Sequence, residues 1–213
     1  MLNNTSSKMF YGALPFVIPD SELGFPLTSA TKKETIFRNY KMGKVLDQGD
    51  QGICVDMSLT ALLNAEPIAQ NPCKPLEIYK AARKIGNTPD ELEGCQLNHA
   101  VNYLIKKKII KKEYWTQKSS EVALYLNTIS PIVMSLPWSE KMNNPAKDGK
   151  IVPGGNSIGY HAVVAFRFDG LKERLWLRNS WSESWGLNGN CYMTLADLQK
   201  LLTQGGIACA LVE

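Results

Sequence analysis

From His161 to Asn179 the chain reads His-Ala-Val-Val-Ala-Phe-Arg-Phe, then Asp169-Gly170, then Leu-Lys-Glu-Arg-Leu-Trp-Leu-Arg-Asn. Two apolar, aromatic-rich runs joined at an Asp-Gly pair are the pattern of a β-hairpin, with strands at His161–Phe168 and Arg174–Asn179. Such a hairpin needs a sheet and a core around it, which restricts the fold more than any other stretch. Pairing symmetric about Gly170 would set His161 and Asn179 opposite each other, with Cβ atoms about 4.5–5.5 Å apart. A slip of one residue would send the two side chains to opposite faces. An Asn carbonyl accepting from one imidazole nitrogen fixes the tautomer and leaves the other nitrogen for a further partner.

The remainder of the second half keeps this texture. Pro131 introduces a strand at Ile132-Val133-Met134, and Cys191–Leu195 and Ile207–Val212 are further strands. The first half is helical. Cys54–Ala65 contains neither Gly nor Pro and stops before Pro67; Pro75–Lys84 carries a proline in its first turn, with Leu76, Tyr79 and Ala82 on one face; Leu97–Lys106 places Leu97, Ala100, Val101, Leu104 and Ile105 at helical spacing. Helices first and strands later predict an α+β fold of two lobes with a cleft between them. Lys44-Val45-Leu46 reads as a short strand and Asp47–Gly52 as a loop. The basic run Lys106–Lys112 reads as a solvated helix end leading into a short strand, rather than as a nucleic-acid or lipid patch.

Composition narrows the class. Of 213 residues 44% are hydrophobic and 21% charged, which excludes a disordered or collagen-like chain. The net charge of +4 is mild and dispersed, so no nucleic-acid partner is expected. The apolar runs are too short to span a membrane, and no membrane partner is expected. The first residues lack the basic start and apolar core of a secretory signal. Five cysteines at irregular spacing then point to reduced thiols in a cytoplasmic or other reducing intracellular compartment. Residues 1–35, punctuated by Pro15, Pro19, Gly24 and Pro26, form an irregular arm ahead of a domain spanning 36–213. Within that domain the helical lobe is expected at about 44–117 and the β lobe at about 118–213.

Cys54 opens the first predicted helix, where the dipole and free N–H groups lower a thiol pKa and favour the reactive thiolate; most free cysteines, by contrast, are small buried hydrophobes. With His161 as base and Asn179 as its orienting group, Cys54 completes a nucleophile triad. The Gln48 side chain and the Cys54 backbone N–H are candidates for a two-donor oxyanion hole. Cys95 and His99 lie four apart, half of a zinc site, but no second close pair exists. No metal and no cofactor are expected.

These residues carry a resemblance. Gln48-Gly-Asp-Gln-Gly52-Ile-Cys54 resembles the nucleophile loop of the papain-like cysteine peptidases, the papain and cathepsin type. Gly159-Tyr-His161-Ala-Val resembles their histidine strand, and Asn179-Ser-Trp181-Ser-Glu-Ser-Trp185-Gly186-Leu-Asn188-Gly189 their asparagine motif. Gly94-Cys95 and Ser130-Pro131-Ile132-Val133 match weaker landmarks in the right order, so the likeness runs from about residue 36 to the C-terminus. It implies a papain-like fold in which Cys54 is the nucleophile, His161 the general acid/base, Asn179 its orienter and Gln48 an oxyanion donor. Trp181 would shield the Asn–His bond from water, and Gln96, Leu97, Tyr160 and Ala162 would line the substrate path. The departures are equally specific. Val55 replaces the usual aromatic after the nucleophile, and Gln51 replaces a disulfide cysteine whose partner position is Cys95. Gln96-Leu97 replaces a glycine pair and Ser182 a glycine. The Cys54-to-His161 spacing is shorter than the usual 130–150 or so residues. The stretch before Gln48 is too short for the family's helical prosegment, so the arm either packs on the body or blocks the cleft.

The expected activity is cleavage of peptide bonds through an acyl-enzyme, by a monomer acting on polypeptide. Two readings stand beside it: a deamidase or transacylase using the same triad, and a catalytically weak binding module, motivated by Val55 and the missing glycine pair.

Overall fold

The computed structural model describes residues 11–24, 38–68, 74–128 and 130–212. Among these the eight strands form one sheet. Their order is β2 (Cys95–Gln96), β1 (Ala13–Leu14), β5 (Ser157–Asp169), β4 (Ile132–Ser139), β8 (Ile207–Val212) and β3 (Lys112–Thr116). β6 (Arg174–Arg178) continues from the far end of β5, and β7 (Asn190–Met193) pairs with β6. All pairings are antiparallel except β1 on β2. β3 precedes the expected lobe boundary at residue 117 and nevertheless belongs to the sheet.

The sheet buries both faces, so its central strands read as continuous apolar runs rather than alternations. On one side Val133, Val164, Ile207 and Cys209 pack with α1 (Cys54–Leu63), α2 (Pro75–Ile85) and α3 (Leu97–Lys106). On the other, Met134, Leu136, Val163 and Ala165 pack with α4 (Ser119–Thr128) and α5 (Leu195–Thr203). Together they make the α+β architecture that the order of helices and strands implies.

α1 sits deepest among the helices: Val55, Leu59, Leu62 and Leu63 are fully or almost fully buried. Each such aliphatic side chain contributes about 1.5–3 kcal/mol relative to exposure, which anchors the helix whose first residue is Cys54. Its N-cap, Ile53, supplies no side-chain acceptor. The first-turn N–H groups, which no helix satisfies internally, are therefore left at the head of the helix.

Several sequence expectations need correction. Lys44–Leu46 is not a strand; only Asp47 bridges, to Trp181. The strand expected at Cys191–Leu195 ends at Met193, because Thr194 caps α5: its Oγ1 accepts from Asp197 N–H at 3.1 Å and donates to Asp197 Oδ2 at 2.8 Å. α4 and α5 were not expected at all.

The hairpin is not symmetric about Gly170. Asp169 pairs with Arg174 and Arg167 with Trp176, whereas beyond an irregularity Ala165 pairs with Leu177 and Val164 with Arg178. Phe166 is the extra residue, and its carbonyl accepts from the Tyr40 N–H at 3.4 Å. Had the first register continued, Asn179 would face away from His161. The one-residue bulge restores parity and puts Asn179 and Trp181 on the His161 face.

Candidate active site

Cys54, at the head of α1, lies against the backbone of β5 next to His161, and Asn179 contacts His161. His161 Nε2 lies 2.7 Å from Asn179 Oδ1. Asn179 Oδ1 also accepts from the Ser180 backbone N–H at 2.7 Å. That oxygen is an acceptor only, so Nε2 carries the hydrogen and Nδ1 is the basic nitrogen. Nδ1 is buried and has no partner among the described residues. The thiol sits against the same strand: Cys54 Sγ accepts from the N–H of Ala162, the residue after His161, at 3.4 Å.

His161 is enclosed by aromatic rings. Trp181 stacks on it at 4.4 Å between centroids and 28° between planes, Trp138 meets it edge-on at 4.9 Å, and Tyr11 at 6.0 Å. Trp181 thus lies nearly flat against the ring that Asn179 holds. Full burial pushes the imidazole pKa down to about 4, against the opposing effect of the hydrogen bond it donates to Asn179, so the ring is neutral near pH 7.

The nucleophile loop is tied to the asparagine segment. Gln48 N–H donates to Ser180 O at 2.9 Å, and Gln48 Oε1 accepts from Ser180 Oγ at 2.7 Å. Gln48 Nε2 donates to Gln51 O at 2.9 Å. The side-chain amide is therefore buried and fixed in orientation beside the Cys54 loop. Ser180, which sequence reasoning did not single out, connects Gln48 to Asn179.

The arm crosses the site. Gly12 N–H donates to Cys54 Sγ at 3.3 Å, and Gly12 O accepts from the Cys95 N–H at 2.9 Å. Ala13 pairs with Cys95 and Tyr160, and Leu14 with Gln96. Gln96 Nε2 also donates to Pro15 O at 2.8 Å. Of the residues expected along the substrate path, Gln96, Tyr160 and Ala162 thus contact either the arm or the thiol, whereas the Leu97 side chain is wholly inside the helical core. Only glycine fits beside the thiol. A Cβ on Gly12 would fall 1.8 Å from Gly52 O, and one on Gly94, whose φ is +97°, would fall 2.2 Å from Gly12 O. Arg83 braces the loop before Gly94, donating to Pro89 O at 2.6 Å and Gly94 O at 3.0 Å.

This cover reverses one sequence expectation. The head of a helix was expected to lower the Cys54 pKa. Burial instead pushes it up to about 11, outweighing the backbone N–H bonds from Ala162, Gly12 and Val55, so thiol and imidazole are both uncharged here. Cys95 forms no disulfide; its thiol lies 3.7 Å from both Asp56 carboxylate oxygens. Burial holds that carboxyl well above the usual carboxylate range. Cys73 lies outside the described residues. His99 packs against Gly86, and among the described residues no three His, Cys, Asp or Glu side chains converge as a metal would require. No described helix is long and apolar enough to cross a membrane.

No family model and no curated protein matches the sequence. The fold does have solved counterparts. Xylellain, a cysteine protease from Xylella fastidiosa, superposes with a TM-score of 0.76 at 18% identity over 95% of both chains. Procathepsin B S9 from Trypanosoma congolense gives 0.70 at 11% identity, covering 95% of this chain and 86% of that one. Bromelain from Ananas comosus, in complex with the E64 inhibitor, gives 0.61 at 14% identity, covering 80% and 94%. The fold is therefore papain-like.

Proposed function

We propose that the chain is a cysteine peptidase of papain type, held latent by its own residues 11–14. One observation carries the reading: Asn179 holds His161 by Nε2 at 2.7 Å, which leaves Nδ1 as the free basic nitrogen, on the strand whose next residue, Ala162, donates its N–H to the thiol at the head of α1. A binding module has no need of a tautomer fixed in that way.

With the arm displaced, water and substrate reach the thiol and its proton passes to His161 Nδ1. The thiolate attacks the peptide carbonyl carbon, a C–S bond forms, and the carbonyl electrons move onto oxygen. The Cys54 backbone N–H and the Gln48 amide donate to that oxyanion. As the C–N bond breaks, the imidazolium gives its proton to the departing amine. Water, deprotonated by the neutral imidazole, then attacks the thioester, releasing the carboxylic acid and restoring the thiol. Asn179 turns with neither partner; it keeps the ring in the orientation that both proton transfers require.

The test uses the whole chain carrying Gly12→Ala, which cannot seat the arm, incubated with a peptide library and compared with Gly12→Ala/Cys54→Ala. Cleavage by the first and not by the second is the expected result. A mass change without cleavage would assign the triad to side-chain amides instead, and neither change would overturn an enzymatic reading.

A further inference from the structure

The ring that the arm places beside His161 is held by more than shape. Tyr11 OH donates to Asn143 Oδ1 at 2.9 Å, and the same oxygen accepts from Trp138 Nε1–H at 2.9 Å. An indole N–H can only donate, so the Asn143 atom facing it is the oxygen, and the carboxamide orientation is fixed. Trp138 is fully buried, so the indole cannot swing away. Asn143 itself is pinned through its backbone, whose carbonyl accepts from Trp185 Nε1–H at 2.8 Å. The Tyr11 ring is edge-on to both His161, at 6.0 Å, and Trp181, at 5.9 Å. Every wall of this recess comes from the body of the protein: Trp138 from β4, Asn143 from the short turn after it, His161 from β5, and Trp181 from the asparagine segment. Removing Tyr11 would leave an aromatic slot with one oriented acceptor at its end.

We propose that this recess is a receiving site for a tyrosine side chain of the substrate, on the leaving-group side of the scissile bond, with Asn143 as the residue that selects the phenol hydroxyl. The inference rests on the peptidase reading for its placement. His161 protonates the departing amine, so the residue that carries that amine lies on the His161 side of the thiol, where the recess is. Phenylalanine would fill the same slot but leave the second lone pair of Asn143 Oδ1 without a protein donor. One neutral hydrogen bond corresponds to a preference of about twofold to tenfold for tyrosine.

The experiment uses the whole chain carrying Tyr11→Ala, so that the slot is empty, titrated with N-acetyl-tyrosinamide and N-acetyl-phenylalaninamide and followed by tryptophan emission. The tyrosine derivative is expected to bind about twofold to tenfold more tightly. That preference should vanish in Tyr11→Ala/Asn143→Ala and persist in Tyr11→Ala/Asn143→Asp, which keeps an acceptor oxygen. Equal affinities in the Tyr11→Ala chain, or a preference untouched by loss of the Asn143 side chain, would overturn the proposal. In Tyr11→Ala/Gly12→Ala, whose arm cannot seat, peptides differing only by Tyr or Phe just after the cut bond supply the second readout, with the same ratio expected in kcat/KM. Selective binding without hydrolysis of any peptide would keep the recess and defeat the peptidase reading. Hydrolysis with no binding or turnover preference would do the reverse.

Discussion

The two reacting groups are buried by opposite means. Cys54 is covered on its helical side by backbone, where Gly12, Gly52 and Gly94 approach too closely for any side chain. His161 is covered on the sheet side by packed rings of Trp138 and Trp181, whose own lobe supplies them. Of the first cover only Gly12 belongs to the arm, so on the proposed reading it is removable; the second is part of the core. The contrast separates a condition of the molecule from a property of its fold. On the proposed reading the raised thiol pKa belongs to the seated arm, whereas the tautomer and orientation of the imidazole are set by Asn179 and the two indoles of the body.

Four expected outcomes break or sharpen this contrast. The largest concerns the permanent side. Asn179→Ala in the Gly12→Ala chain should lower peptide turnover by roughly 10²-fold or more, the scale of a misdirected general acid/base. Far-UV circular dichroism should show the fold retained. Loss of fold instead would make Asn179 structural.

Next is the removable side. Gly12→Ala should raise the iodoacetamide labelling rate of Cys54, read by peptide mass mapping at neutral pH. Lowering the pKa from about 11 even to the ordinary thiol value of 9.0 raises the thiolate fraction by about a hundredfold. An unchanged rate would mean that the arm does not control access.

The third follows from burying a neutral imidazole. His161 has a folded pKa of about 4 and an unfolded value near 6.5, so below pH 6.5 the unfolded chain takes up the proton first. Stability is full above that pH and is lost as pH falls toward 4, by at most about 3 kcal/mol. Urea midpoints of wild type and His161→Gln, measured across this range, should converge as the pH drops. His99, whose pKa burial also lowers, is common to both chains and cancels. Parallel curves would contradict the buried neutral ring.

The smallest is Ser180→Ala, which removes the hydroxyl held by Gln48 Oε1. It should cost about 1 kcal/mol in chemical denaturation, with a turnover loss well below that of Asn179→Ala. A larger turnover loss would show that the Gln48 amide depends on this bond for its aim.

The sequence was most legible where one period ran uninterrupted. Leu97–Lys106 and Ile207–Val212 are observed with the bounds their patterns implied, and α1 and α2 differ from expectation only near their ends. α5 was missed although Leu195, Leu198, Leu201 and Leu202 keep helical spacing and Thr194-x-x-Asp197 is a capping signal; the apolar start at Cys191 drew the strand past it. α4 carries serines and threonine at its ends, a weak signal. The His161–Asn179 contact was anticipated from an incorrect register, because no local pattern encodes the bulge at Phe166, whose carbonyl bonds the distant Tyr40 N–H. The seating of the arm was illegible for the same reason. Gly12 matters only because Gly52, 40 positions later, comes within reach of it. Trp138 and Asn143 escaped notice because an isolated indole and carboxamide look like core and loop until their hydrogen bond is seen.

The most direct test of the central claim is the pH profile of Cys54 alkylation in the Gly12→Ala chain, set against Gly12→Ala/His161→Gln. Reaction through a thiolate paired with imidazolium should give an apparent pKa below the ordinary 8.5 or so, moving upward when His161 is replaced. Identical profiles in the two chains would mean that the imidazole does not act on the sulfur, and the catalytic reading would be lost.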